Sequence, residues 1–425
     1  MPPGAGYRTG PAVRLLSPHA IRAAGWPLNF LAGGSAAKAI SLKNARAILV
    51  VRLDEIGDVI LTTPFLRELR RNAPNAWITL VVKPLTANLV EHCPYVNEVL
   101  TFDLSHPSRP QAQAGTLRRH MRALRLAAGR FWKRRFDMAI IPRWGVDYYH
   151  ATFLAYFSGA RRRVGYSERV SSRKREINAG FDQMLTDALI DPSAKHEVEH
   201  NLEVIRFLGG DATDDRLELW LDSRDRSLAR EVFTQYEIAP DDGVIALAPG
   251  AGAPRKCWPV ERFVELGRLL LRGYGLPLVV VGGAQDAPLG ERLETELGPS
   301  RVLNLAGRTT LRQTAALLER CRVIIGNDSA PVHLAAAVRT SVVEISWYPA
   351  TAPTEHNDSL ARFRPWGVPQ AVLQPEKART PCKGACESSE PHCILAVRPE
   401  QVLDVALGLA RAGERATTTP ASNIA

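Results

Sequence analysis

The sequence has no run of about 18 uncharged apolar residues, the length a helix needs to cross a bilayer. The nearest stretch, residues 23–40, is broken by Pro27, Asn29, Gly33, Gly34 and Lys38, so no transmembrane helix is expected. A signal peptide is also not expected: Arg14 and Arg22 lie too far into the chain, and the apolar patch from Trp26 to Leu31 is short and interrupted. No full Gly-x-Gly-x-x-Gly follows a strand-like run. The pair Gly282-Gly283 leads into Ala284-Gln285-Asp286, which gives nicotinamide or flavin binding little support. Cysteine is sparse, six residues in 425, scattered and partly inside core-like runs, a usage that suits a reducing, cytoplasmic compartment. Three of the six, Cys382, Cys386 and Cys393, form a C-x3-C-x6-C cluster. Zinc prefers two short Cys pairs or a clear fourth ligand, and His392, directly beside Cys393, is badly placed to be that ligand. Packing thiols are the first reading, a disulfide or a metal the others; no bound metal and no cofactor is expected.

What the chain does contain is the alternation of two α/β domains, the natural partition of this length. Lys plus Arg number 54 against 44 Asp plus Glu, a net charge of +10, and such an excess attracts phosphates of some kind. Residues 1–45 read as a flexible extension with weak membrane contact at most. The ordered part opens on Ala45 to Arg52, a β-rich run, then a helical stretch Thr63 to Asn72, a strand Trp77 to Val82, a helix Thr86 to Glu91 and a short strand near Val99. From Gly115 to Arg135 a basic amphipathic helix carries Arg118, Arg119, Arg122, Arg125, Arg130, Lys133, Arg134 and Arg135. It lacks the exposed aromatics that stack bases, so nucleic acid is not the expected partner. An ordinary solvated helix is the plain reading, a membrane or anionic-acceptor face the functional one. A strand follows at Phe136 to Ile141, then a second basic knot, Arg161 to Arg163, and a polar region with strand character only at Leu217 to Leu221. A charged helix is expected around Asp222 to Asp242, and residues 226–242 are expected to link an N-terminal domain (46–225) to a C-terminal one (243–412), with a disordered tail at 413–425. The second half restarts the rhythm: strands at 244–247, 276–281, near 303 and 323–325, helices at 259–271, 288–297 and 311–320.

Four loops at predicted strand ends can carry chemistry. In Asp54-Glu-Ile-Gly-Asp58 a carboxylate could act as general base toward a hydroxyl; the plainer alternative is that Asp58 caps the next helix. In Gly250-Ala-Gly252-Ala-Pro-Arg255-Lys256 backbone N–H groups and two cations converge as phosphate binding demands, unless this is an exposed Gly-Pro loop with solvated charges. Gly282 to Asp286 is a weak signal. The fourth, Val323-Ile-Ile-Gly-Asn-Asp-Ser-Ala-Pro-Val-His333, reads as strand, turn and helix N-terminus with Pro331 in the first turn, a natural anion seat. A lone His in such a turn, His333, is more often structural than functional.

The segments Arg52-Leu-Asp-Glu-Ile-Gly-Asp-Val-Ile-Leu-Thr-Thr-Pro64, Pro249-Gly-Ala-Gly-Ala-Pro-Arg-Lys-Cys-Trp-Pro259, Val281-Gly-Gly and Gly326-Asn-Asp-Ser-Ala-Pro-Val-His-Leu-Ala335 together resemble glycosyltransferase family 9, the ADP-heptose:lipopolysaccharide heptosyltransferases, over roughly residues 46–412. The resemblance implies an α/β GT-B fold: two Rossmann-like doubly wound domains facing a central cleft, the acceptor on the N-terminal one and the sugar nucleotide on the C-terminal one. It implies metal-free inverting transfer from an ADP-sugar donor to a lipid-linked oligosaccharide acceptor at the inner face of the cytoplasmic membrane. By position, Asp58 would be the base. Lys256, with the backbone of Ala251 and Gly252, would neutralise the departing diphosphate, and Asp328, Ser329, Ala330 and His333 would hold sugar and diphosphate. Asp286 and Thr309 are expected nucleoside contacts, and Arg118 to Arg135 with Arg161 to Arg163 expected acceptor contacts. Ala330 stands where many members have glycine. Two other readings remain at this stage: a nucleotide-sugar epimerase on the same scaffold, and a non-catalytic nucleotide-sugar-binding protein.

Overall fold

The computed structural model describes residues 40–103, 116–239, 243–356 and 358–417, with side chains left out at 116–120 and 412–417. The chain divides into two compact units between Asp215 and Arg216. In the N-terminal unit, in order, are β1 (Ala47–Arg52), α1 (Ile56–Ile60), α2 (Thr63–Asn72), β2 (Trp77–Val82), α3 (Pro84–Val90), β3 (Glu98–Thr101), α4 (Thr116–Leu126), β4 (Met138–Ile141), α5 (Ala151–Phe157), β5 (Arg162–Tyr166), α6 (Ser172–Ile177), β6 (Asp187–Leu189) and α7 (Glu197–Phe207). The C-terminal unit holds α8 (Ser223–Gln235), β7 (Ile245–Ala248), α9 (Val260–Tyr274), β8 (Leu278–Val280), α10 (Ala287–Leu297), β9 (Val302–Asn304), α11 (Leu311–Leu318), β10 (Val323–Asn327), α12 (Ala330–Ala337), β11 (Ser341–Ile345), α13 (Leu360–Phe363), β12 (Gln370–Leu373) and α14 (Pro399–Thr417).

All strand pairs are parallel. The sheet orders are β3-β2-β1-β4-β5-β6 and β12-β11-β10-β7-β8-β9. Counted from its own first strand, each sheet reads 3-2-1-4-5-6, the doubly wound order of Rossmann-like folds. Each central strand is covered on both faces, which explains why β1 and β10 are buried at every position and read as continuous apolar runs rather than alternating ones. The order also fixes where a ligand belongs. It reverses between β1 and β4 in one sheet and between β7 and β10 in the other, and the crevice beyond the carboxyl ends of those strands is the usual seat.

The boundaries differ from expectation in four places. Residues 226–235 of the expected linker lie in α8, the charged helix expected there, whose Asp222 and Asp225 form a reciprocal cap at its start. Leu217 to Leu221 pairs with neither sheet, although Leu217 is buried. The last helix continues to Thr417, so the expected tail at 413–425 begins inside it, and 418–425 lie outside the described residues. Of the expected extension 1–45, residues 1–39 lie outside the described residues, while Leu42 and Ala45 are already buried around a 3-10 turn, Leu42–Asn44.

Candidate active site

In the N-terminal unit the switch-point loops follow β1 and β4. Strand β1 ends on Arg52, fully buried, an unusual place for a guanidinium unless it is paired. It is paired several times over: Nε lies 3.1 Å from Asp54 Oδ2, Nη2 lies 3.3 Å from Asp58 Oδ1 and 3.7 Å from Glu197 Oε2, and Nη1 donates to the Pro142 carbonyl at the end of β4. Arg143, next after Pro142, meets Asp54 and approaches Asp58 Oδ1 at 3.8 Å. Two guanidiniums therefore face three carboxylates. Asp54 and Glu197 are enclosed, with side chains 5% and 1% exposed, whereas Asp58 keeps 12%. Burial pushes the Asp54 carboxyl up to about 6, against the pull of Arg143 and Arg52. Burial alone would lower Arg143; the carboxylates of Asp54 and Asp58 outweigh it and hold the guanidinium above its ordinary range.

Asp58 caps the next helix and also faces the arginine cluster. Its Oδ2 accepts the Glu55 N–H at 3.2 Å, closing a reciprocal cap on α1, and its Oδ1 belongs to the arginine cluster. Glu55 meets Lys83 Nζ at 2.9 Å and accepts from the Tyr149 hydroxyl. Behind the β4 loop sits Lys174, 5% exposed, whose Nζ donates to the carbonyls of Arg143 (3.2 Å), Trp144 (3.0 Å) and Tyr166 (3.1 Å).

In the C-terminal unit the loops follow β7 and β10. Asn327, fully buried at the end of β10, ties them together: its Nδ2 donates to the Pro249 carbonyl at 2.7 Å and its Oδ1 accepts from the Trp258 N–H at 3.0 Å. Between those two anchors the chain passes through Gly250, Ala251 and Gly252 into a 3-10 turn, Pro254–Lys256, which delivers Lys256 to Asp328. Its Nζ lies 3.2 Å from Asp328 Oδ2 and 2.6 Å from Asp358 Oδ1. Burial alone would lower the Lys256 ammonium, but the two carboxylates hold it above the ordinary lysine range. Burial alone would raise Asp358, and Lys256 holds it below the usual carboxylate range. Ser329 is the N-cap of α12, yet its hydroxyl donates to the Asn327 carbonyl at 3.2 Å and makes no cap bond, so the first N–H groups of α12 keep their pull on an anion. Ala330 and Pro331 open that helix half-buried, and His333 is buried within its second turn.

The two expected nucleoside contacts lie on neighbouring loops, joined by the Gly307 N–H to the Gly282 carbonyl at 3.0 Å. Asp286 is turned inward. Its Oδ2 accepts the Gly283 N–H at 2.8 Å, and a Cβ on Gly250 would fall 2.1 Å from its Oδ1, so this glycine is where the phosphate-type loop packs over the carboxylate. The Thr309 hydroxyl is bonded to that of Thr314 at 2.8 Å.

A family model described as glycosyltransferase family 9 (heptosyltransferase) matches residues 130–392. The chain belongs to glycosyltransferase family 9. It is 25% identical over 374 residues to lipopolysaccharide heptosyltransferase 2 of Salmonella typhimurium, covering 84% of this chain and 96% of that protein. Among solved structures it resembles a family 9 glycosyl transferase of Veillonella parvula (TM-score 0.69, 22% identity, 88% of this chain and 99% of that one) and E. coli ADP-heptose lps heptosyltransferase II (TM-score 0.63, 21% identity, 87% and 99%). The fold is thus the expected α/β GT-B type, and the chain is a glycosyltransferase.

Several residues of this family 9 enzyme's two clusters escaped the sequence reading. Arg52 had a signal, a charge inside an otherwise apolar strand; Arg143, Glu197 and Asp358 had none, because each reaches its cluster from a distant segment. Glu344 is the least expected. It lies in β11 opposite Gly326, fully buried, and neither carboxyl oxygen has a hydrogen-bond partner among the described residues. Burial raises its carboxyl well above the ordinary range, Asp328 adding and Lys256 opposing. The basic knot is largely consumed internally: Arg162 pairs with Asp187 at 3.0 Å, and Arg163 donates to the Met184 and Ala160 carbonyls. On the helical segment after residue 120, Arg122, Arg125, Arg130, Lys133 and Arg135 are exposed, beside exposed Met121 and Trp132. Arg134 lies over the Trp77 ring.

Proposed function

We propose that this enzyme transfers a heptose, or a closely related sugar, from an ADP-sugar to the lipopolysaccharide core with inversion at the anomeric carbon. Membership of the heptosyltransferase family supports the substrate class, and the observation that carries the mechanism is the Lys256 ammonium anchored beside an α12 N-terminus whose cap hydroxyl points elsewhere. A diphosphate leaving group gains negative charge as the glycosidic bond breaks, so a fixed cation and oriented N–H dipoles favour the transition state over the bound donor. The backbone of Ala251 and Gly252 has the same task. Asp328 is unsuited to face phosphate directly, and its roles are to hold Lys256 and to meet sugar hydroxyls with Ser329, Ala330 and His333.

On the acceptor side Asp58 is the general base. It is the most open carboxylate of its cluster, with Arg52 and Arg143 at its Oδ1 and the Glu55 N–H at its Oδ2. Arg52 and Arg143 act as positioning residues. Asp286 and Thr309 border the nucleoside, Asp286 chiefly by shaping the Gly250 turn. The exposed basic face from Arg122 to Arg135, with Met121 and Trp132, suits a phosphate-rich lipid acceptor and peripheral contact with the inner face of the cytoplasmic membrane. In keeping with peripheral contact, no helix among the described residues is long and apolar enough to cross a membrane.

The test is a transfer assay with ADP-heptose and heptose-deficient lipopolysaccharide, run beside a thermal-shift panel of ADP- and UDP-sugars. The reading requires product formation with ADP release, and a melting shift for the ADP-sugar larger than for its UDP counterpart. Turnover of the nucleotide sugar without acceptor would refute it.

A further inference from the structure

Between Leu373 at the end of β12 and Pro399 at the start of α14 the chain has no helix or strand beyond one 3-10 turn, Cys393–Ala396. Stretches of this kind inside a compact domain need something other than backbone ladders to hold them. Here four side chains converge. The ligand-type atoms of Cys382, Cys386, His392 and Cys393 all lie within 4.8 Å of one another. His392 Nδ1 is 3.4 Å from Cys382 Sγ and 3.5 Å from Cys393 Sγ. A tetrahedral zinc ion, with bonds of about 2.3 Å to sulfur and about 2.0–2.1 Å to nitrogen, places its sulfur and nitrogen ligands about 3.6 Å apart and its sulfurs about 3.8 Å apart. The two His392 edges fit that tetrahedron, and no other edge exceeds 4.8 Å.

The sequence spacing argued against this arrangement because His392 and Cys393 are neighbours. The backbone resolves the difficulty. His392 has φ −137° and ψ −74°, outside both helix and strand, just as the chain enters the 3-10 turn, and this brings two adjacent side chains to one point. Gly384, at φ +75°, reverses the chain between Cys382 and Cys386. Two backbone N–H groups point at sulfur, Arg379 to Cys393 Sγ and Glu387 to Cys382 Sγ, each at 3.4 Å; such donors stabilise a thiolate far more than a thiol. Cys386 and Cys393 are buried in the core of the C-terminal unit with Ile394 and Val397. No disulfide joins any of the cysteines among the described residues.

We propose that Cys382, Cys386, His392 and Cys393 bind one zinc ion as a closed, four-coordinate structural site. The ion cross-links residues 382–393. It thereby steadies the 3-10 turn and the residue after it, where the Leu395 and Val397 carbonyls accept from Arg262 Nη1 (2.9 Å) and Trp258 Nε1 (3.1 Å). Trp258 follows Lys256 by two residues, so the cross-link supports the Lys256 loop from beneath without touching substrate.

The experiment is elemental analysis of the full-length protein, purified without chelator and again after addition of zinc chloride and desalting. About one zinc per chain is expected, with loss from Cys386→Ser and His392→Ala and retention in Cys93→Ser. Because a core cysteine variant can misfold, the wild-type protein supplies two further readouts. Stripping the metal should expose three additional thiols to a thiol reagent and lower the melting temperature, and cobalt reloading should give thiolate-to-metal absorption that His392→Ala weakens. Absence of stoichiometric metal both before and after zinc addition, or an intact mass showing a disulfide among the three cysteines, would overturn the site. Iron in place of zinc would overturn the identity of the ion.

Discussion

At the scale of single residues, the proposed chemistry is tested at two carboxylates and one ammonium. Asp58→Asn keeps an acceptor for the Glu55 N–H, so α1 retains its cap while the base is lost; Asp58→Ala loses both, the cap being worth about 1 kcal/mol. Transfer should fall at least about 100-fold in both variants, the lower end of what general-base catalysis contributes. ADP affinity by calorimetry should be unchanged, and an Asn variant with near-normal kcat would remove Asp58 from the reaction. Lys256 and Asp358 should act in opposite senses. Lys256→Ala should weaken ADP binding by about tenfold or more, since a charge-assisted contact is lost. Asp358→Asn removes one of the two carboxylates that hold the ammonium (2.6 Å) and should tighten ADP severalfold at low salt, an effect that fades as salt screens the charges. A weaker ADP complex in the Asn variant would mean that Asp358 orients Lys256 rather than competing for it. Of these residues Asp58, Lys256 and Asp328 were legible because each lies in a short motif with turn-forming neighbours. Asp358, 102 positions beyond Lys256, was not, because proximity across such a separation is set by the path of the chain.

At the scale of elements, the loop after β4 is the part most dependent on a single buried group. Three carbonyls surround Lys174 Nζ, matching the three N–H donors that only the charged amine offers, while burial pulls its pKa down to about 7. Lys174→Met would leave those carbonyls without a donor. Destabilisation of about 3 kcal/mol is expected from urea unfolding, together with a reduced kcat as Arg143 loses its fixed carbonyl, and retained ADP binding. The strands themselves show what periodicity can and cannot reveal. β1, β2, β4, β7, β8 and β10 are central or nearly so and were readable as β-branched runs. β5, β6, β11 and β12 were not; β5 begins with Arg162 and Arg163, whose charges are satisfied by Asp187 and by carbonyls only once the sheet has formed. The basic knot therefore looked like a binding surface and proves to be mostly the start of β5, a strand paired on both sides.

At the scale of the molecule, net stability is a small difference between large terms, and a buried carboxyl without a hydrogen bond is a visible cost. Glu344 has a folded pKa raised above its unfolded value of 4.5. Below that value both states hold the proton and the group is neutral to stability. As pH rises above it the unfolded chain releases the proton first, so the native state loses stability until its own carboxyl ionises. Glu344→Gln should therefore gain on the parent protein progressively as pH is raised from about 4 to about 8, read as a widening difference in urea midpoints. Parallel curves would show that Glu344 ionises normally in the folded protein.

The sequence by itself determined the α/β class, the two repeated halves, the family resemblance and the motif loops, because these depend on local periodicity, turn chemistry and short fixed spacings. Tertiary structure alone decided the rest. It placed Arg52, Arg143 and Glu197 around Asp58, closed Asp358 onto Lys256, buried Glu344 beside Asp328, turned Asp286 under Gly250, and brought His392 to the same point as three cysteines. Most of these are meetings of charged or polar groups brought together by the path of the chain, some from distant segments and some from one irregular loop, tolerable in a dry interior only when partners arrive together. A linear pattern records the residues but not their arrival.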